Sequence, residues 1–160
     1  MNKNRYVLIS FLVLIFSHFN SFGYGIFDSE NTQNYEYLIT QADDSSYSER
    51  LAQSHNNRSD ISFSSFSGGD TIALVSAQEG DEVQIEFITE ITKGDFVLVF
   101  INSKDELQVL ATQSEKGIKE FIPGSGLSRI KMAGTEADGS LHLRITGEAA
   151  IEYLRLGQDG

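Results

Sequence analysis

From Ile61 onward the chain repeats one texture: a short stretch in which apolar residues occupy every second position, then a break at glycine. That period of two is the signature of a strand with one face buried and one wet, and it excludes a helical fold. Val83, Ile85, Phe87 and Thr89 alternate with Gln84, Glu86 and Ile88, and Leu141, Leu143 and Ile145 alternate with His142, Arg144 and Thr146. Phe96 to Ile101 is apolar throughout, which suits a strand covered on both faces and is too short for an ordinary helix. Asp95 and Asn102 bracket that run as gatekeepers against aggregation.

The breaks fall at Gly68-Gly69-Asp70, Glu79-Gly80-Asp81, Lys93-Gly94-Asp95, Lys116-Gly117, Pro123-Gly124-Ser125-Gly126 and Asp138-Gly139. The last is a favoured two-residue hairpin turn, because both central positions take positive φ. Candidate strands are Ile61–Phe66, Thr71–Ser76, Glu82–Ile91, Phe96–Ser103, Leu107–Thr112, Ile118–Ile122, Arg129–Gly134, Leu141–Thr146 and an edge strand Ile151–Leu156. About eight or nine short strands predict an all-β fold, a two-sheet antiparallel β-sandwich of jelly-roll type. Phe87, Leu98, Phe100, Ile130, Leu143 and Ile145 are its expected core.

Two further regions precede this domain. Lys3 and Arg5 followed by the apolar run Val7 to Phe16 have the form of a signal peptide over residues 1–23. Ser17, His18, Asn20 and Ser21 end that run short of the ~20 residues a membrane span needs. Small residues place the cut before Tyr24 or Ile26, so the expected location is secreted or extracytoplasmic, with no membrane span left after processing. Residues 24–60 are polar and acidic and read as an N-terminal extension or linker, and 61–160 as the sandwich domain. Within the extension Tyr35-Glu36-Tyr37-Leu38-Ile39 suits a docking strand or helical turn, and Tyr47 to Ala52 a second brief turn. Its tyrosines are ordinary linker residues or, alternatively, a recognition strip.

The order Phe66-Ser67-Gly68, Glu79-Gly80-Asp81-Glu82-Val83, Lys93-Gly94-Asp95-Phe96-Val97-Leu98, Arg129 to Gly134 and Ala137 to Leu141 resembles small exported β-sandwich proteins of Firmicutes, many of them lipoproteins. The resemblance spans residues 61–146. This chain departs from the lipoproteins in lacking the anchoring cysteine, so no lipid tether is implied, and the family brings no settled activity from which a catalytic residue could be carried over.

Charge and residue content narrow the function. The 160 residues carry a net charge of −11 and no cysteine. Losing Lys3 and Arg5 with the leader leaves 10 basic against 23 acidic residues, a net of −13. Such a surface repels nucleic acid and anionic membranes, and the missing cysteines exclude disulfides, thiol nucleophiles and zinc knuckles. Only His55 and His142 could serve a Ser-His-Asp hydrolase after processing, and Gly124-Ser125-Gly126 follows Pro123 as a turn rather than a nucleophile elbow. Asp81-Glu82 and Asp105-Glu106 are adjacent acids on turns, unlike the spaced pair of a glycosidase. Glu136-Ala137-Asp138-Gly139 resembles part of a calcium loop, but Ile145 stands where the distal glutamate belongs.

These readings predict no catalytic residue, no metal ligand set and no cofactor. They predict a non-enzymatic exported binding or structural module whose partner is a protein or cell-envelope component. A carbohydrate-binding module, with or without calcium dependence, is the alternative, lowered by the lack of Trp and by Tyr153 being the only Tyr after Tyr47. A secreted hydrolase comes third. Gln84 and Glu86 on one strand and His142 and Arg144 on another are the expected contact residues or, equally, parts of merely solvated sheet faces, and no ligand-binding residue is assigned. Intact-mass measurement of exported protein should find a chain beginning at Tyr24 or Ile26; one still beginning at Met1 would remove the leader assignment.

Overall fold

A computed structural model describes residues 35–154. The expected leader, its cuts before Tyr24 or Ile26, and residues 155–160 lie outside the described residues. In chain order the elements are α1 (Tyr37–Thr40), β1 (Asp44–Ser46), β2 (Glu49–His55), β3 (Arg58–Ala77), β4 (Val83–Ile101), β5 (Leu107–Thr112), β6 (Glu115–Phe121), β7 (Gly126–Gly147) and β8 (Ala150–Tyr153). All strand pairs are antiparallel. The all-β sandwich expected from the alternating pattern is the observed fold.

Its construction differs from eight or nine short strands. β3, β4 and β7 run 20, 19 and 22 residues, several times an ordinary strand, and lie side by side with β7 between the other two. Each serves both layers. The first layer reads β2, the start of β3, the end of β7, the start of β4, then β6. The second reads β1 and β8 beside the end of β3, then the start of β7, the end of β4, and β5. Phe63 of the first layer stacks on Phe96 of the second at 5.5 Å between ring centres, and Phe121 meets Phe100 at 4.5 Å. The core fills the space between, and Phe87, Leu98, Phe100, Ile130, Leu143 and Ile145 are all buried in it as expected.

The expected turns at Gly68-Gly69-Asp70, Lys93-Gly94-Asp95 and Asp138-Gly139 do not reverse the chain. They are the level at which the three long strands pass from one layer to the other. Pairing registers shift between Phe63 and Gly68 and between Ile91 and Asp95, the mark of β-bulges, which bend a strand without ending it. Ser65, Gly94 and Glu136 take positive φ there, 51°, 75° and 48°. A Cβ on Gly94 would lie 2.4 Å from the carbonyl oxygens of Thr135 and Glu136, so only glycine permits the approach of β7. Asp138 Oδ1 accepts the Ser65 N–H at 2.7 Å and Ser67 Oγ the Glu136 N–H at 2.9 Å, satisfying donors that the bulges free from the ladder. The turn residues therefore mark backbone irregularity, and the flanking apolar runs carry the strand through it.

Within the N-terminal extension or linker expected over 24–60, the described residues from 35 onward carry strands. Asp44–Ser46 and Glu49–His55 are strands on β3, and the boundary placed between 60 and 61 falls inside β3. β2 hides little side chain because it is an edge strand, held mainly by its backbone pairs. Its hairpin turn is Asn56-Asn57, with φ of 46° and 60° as a tight two-residue turn requires.

The apolar run 96–101 is covered on both faces as anticipated. Phe96, Leu98 and Phe100 point into the sandwich, while Val97, Val99 and Ile101 face outward with Leu107 and Ala133. What covers them is the segment around α1, where Leu38 is 0% exposed against that second cluster. The Arg129 guanidinium donates to the Ile39 carbonyl at 2.6 Å, and the buried Lys131 ammonium donates to the Gln41 carbonyl at 2.6 Å and pairs with Asp43 at 3.0 Å. Truncating the packed side chain Leu143→Ala should cost about 2–5 kcal/mol, and His142→Ala, half exposed one residue away, less than about 1 kcal/mol. Urea unfolding of both variants checks the order, and its reversal would place β7 one residue out of register.

Candidate functional site

Among the described residues no segment covers the outer face of the first layer. Antiparallel register sets Arg58, Arg144, Glu86 and Ile118 in one row across it, and Asp60, His142, Ile88 and Lys116 in the next. The expected contact residues Gln84, Glu86, His142 and Arg144, predicted from two separate strands, thus share one face on neighbouring strands β4 and β7. Arg144 lies 3.7 Å from Glu86, and His142 Nδ1 is 2.6 Å from Asp60 Oδ1. Ile88 and Ile118 stay largely exposed among these charges.

At one end this face runs into a groove of about 590 Å³ lined by Glu82, Gln84, Glu120, Ile122 and Thr146. The Gln84 amide donates to Glu120 Oε1 at 3.1 Å and holds the carboxylate at the rim. With Glu82 opposite and no Lys or Arg in the lining, the groove favours a cation or a neutral donor. Exposed Ile122 supplies an apolar wall.

The other residues singled out from sequence are dispersed. Asp81 caps the Gln78 N–H at 2.8 Å, Asp105 pairs with Arg129 at 3.2 Å, and Glu106 accepts from Asn102 Nδ2 at 2.6 Å, so neither adjacent acid pair faces a common cleft. Asn102 is a buried loop organiser whose Oδ1 accepts the Lys104 and Glu106 N–H groups, each at 2.9 Å. Glu136 and Asp138 sit at the bulge level, where Asp138 is engaged by Ser65. Among the described residues no three His, Asp or Glu side chains gather as a metal-binding group. His55 stands opposite Arg58 on the outer edge strand.

Sequence reasoning missed a buried polar cluster. Asp70, placed in a solvated turn, is wholly buried on β3. Tyr47 donates its hydroxyl to Asp70 Oδ2, Arg50 Nη2 lies 3.8 Å from the same oxygen, and the Tyr47 ring stacks on Phe66 at 4.8 Å. Burial pushes the Asp70 carboxyl up from its ordinary value, against the lowering by Tyr47 and Arg50. The same burial, with the hydrogen bond to Asp70, pushes the Tyr47 phenol up. A Tyr and an Arg three residues apart in a polar stretch gave no periodicity to read. The cluster fastens the N-terminal strands to the sandwich and lies away from solvent.

No family model matches the chain, and no curated protein matches it. Among solved structures it is similar to one described as "CBM4 structure and function", at 10% identity over 74% of this chain and 83% of that chain, with a TM-score of 0.37.

Tyr153 gives a pH test of this architecture. Its hydroxyl donates to the Asn57 carbonyl and accepts the Ile145 N–H at 3.1 Å, tying β8 to the β2–β3 turn. Burial pushes its phenol from 10.0 up to about 12. A folded pKa above the unfolded one means a contribution that is complete below pH 10 and is lost as pH rises through about 12. Melting temperature followed across that window should fall, and Tyr153→Phe should flatten part of the decline.

Proposed function

We propose that the protein is an exported, non-catalytic binding module that takes up a neutral or basic protein or envelope polymer on the outer face of its first layer and in the adjoining groove. The observation that supports it most is the continuity of exposed Ile88 and Ile118 with the acidic groove of Glu82, Glu120 and Ile122. Such a surface combines an apolar centre with a charged rim, as contact surfaces do. The charge of the whole chain steers cations toward it and anions away. The outer-face rows of the first layer present no aromatic ring among the described residues, which ranks a sugar-stacking role for this face behind a protein or polymer contact. His142 and Asp60 pair in the open, away from any enclosed cleft, which favours binding over hydrolysis.

Pull-down from envelope extracts with the wild-type chain and with Glu82→Lys/Glu120→Lys tests the reading. The charge-reversed protein should retain its partner about tenfold less, and retention of the wild type should fall as salt rises past about 0.15 M. Equal retention by both chains would remove the groove from the interface. Hydrolase turnover that vanishes in His142→Ala would restore an enzyme.

A further inference from the structure

On the opposite layer the fold assembles a second cleft, lined in part by two tyrosines of the N-terminal stretch. It encloses about 330 Å³, within the ~300–1,000 Å³ of small-molecule clefts, between the segment leading into α1 and the start of the second layer. Tyr35, Tyr37, Asp95, Thr112, Gln113 and Thr135 are among the residues that line it. We propose that this cleft binds a neutral sugar ring of a polysaccharide, with the Tyr37 ring as its stacking platform.

Three observations carry the proposal. Tyr37 is 55% exposed although its neighbour Leu38 is fully buried, so the helical turn is anchored and the aromatic ring is held out in water. The anchoring by Leu38, Arg129 and Lys131 means that little backbone freedom is lost when the ring is covered. Second, Gln113 has φ of 62° and its amide donates to the Gly94 carbonyl at 3.2 Å and to Asp95 Oδ1 at 3.3 Å, which fixes both polar side chains. Tyr35, Tyr37, Thr112 and Thr135 bring hydroxyls to the same cleft, and Asp95 and Gln113 bring acceptor oxygens. Hydroxyls that both donate and accept, set with acceptors around one flat ring, suit a ligand that has many hydroxyls and an apolar face. Third, Asp95 and the chain's net charge of −11 disfavour an anionic ring.

The count of tyrosines along the chain argued against sugar binding because the aromatic residues lay outside the expected sandwich. The fold returns two of them to its surface. This site is independent of the first-layer face, and the two can fail separately.

Affinity electrophoresis through gels containing a soluble β-glucan, xylan, mannan or galactan is the test, with tyrosine emission as a second readout in a chain without Trp. At least one polymer should retard the wild-type protein and alter its emission. Tyr37→Ala should weaken that binding about tenfold while leaving the melting temperature unchanged, Tyr37→Phe should retain it, and Asp95→Ala should weaken it. Glu82→Lys/Glu120→Lys should bind the sugar as the wild type does. Failure of all four polymers, retardation that survives Tyr37→Ala, or occupation of the cleft by a peptide in place of sugar would overturn the proposal.

Discussion

Everything in this sandwich depends on three neighbouring strands bending at the same level. β3, β7 and β4 are hydrogen-bonded along both halves, so a bend in one alone would tear its ladders with the others. Bulges in register solve this, and the cross-links Asp138 to Ser65, Ser67 to Glu136 and Thr92 to the Asp138 carbonyl at 3.2 Å hold them together. A substitution at Gly94 would strain all three strands at once, because its φ of 75° and its contact with two β7 carbonyls leave no room for a side chain. The two layers are therefore halves of one ribbon rather than separate sheets that meet in the core.

Folding a ribbon this way leaves two outer faces, and they are treated differently. The second layer faces outward with Val97, Val99 and Ile101, which water would penalise at roughly 25 cal/mol per Å² of apolar surface. The N-terminal segment removes that surface from water with Leu38 and is itself held by cations, Arg129 and buried Lys131, whose partners are carbonyls at the end of α1. Burying Lys131 is tolerable only because Asp43 and the Gln41 carbonyl meet its ammonium. Among the described residues the first layer has no such cover. Its outer face alternates charges with Ile88 and Ile118, and its edge strand β6 carries Glu115, Lys116, Lys119 and Glu120, which discourage another strand from adding on.

Much of this was legible in the chain because a period of two reports burial directly. Every expected core residue is buried, β5 matches its expected limits, and the run 96–101 is covered twice. Strand continuity was not legible: glycine and aspartate in bulges have the same composition as glycine and aspartate in turns, and only pairing partners distinguish them. β2 was hidden because an edge strand held by backbone bonds needs no alternation, although Asn56-Asn57 carried a hairpin signal that was not used. The candidate face was half legible. Each strand's outward residues could be assigned, but that β4 and β7 are neighbours comes only from topology.

Position in the fold then decides where recognition can occur. The space between the layers is filled and the centre of the second layer's outer face is covered by the segment around α1, so among the described residues accessible surface is left on the first-layer face and at the margins where cover ends. The groove at Glu82 and Glu120 lies where β4 begins and β6 and β7 end, and the cleft at Tyr37 lies where the N-terminal cover stops short of the bulge level. Backbone regularity breaks down at such margins, and side chains gain freedom to face a partner without disturbing the core. The acidic N-terminal stretch, polar enough to read as linker, thereby acts as both the lid of a hydrophobic face and the wall of a polar cleft. Its sequence reflects the second role in exposed Tyr37 and the first in buried Leu38, one residue apart.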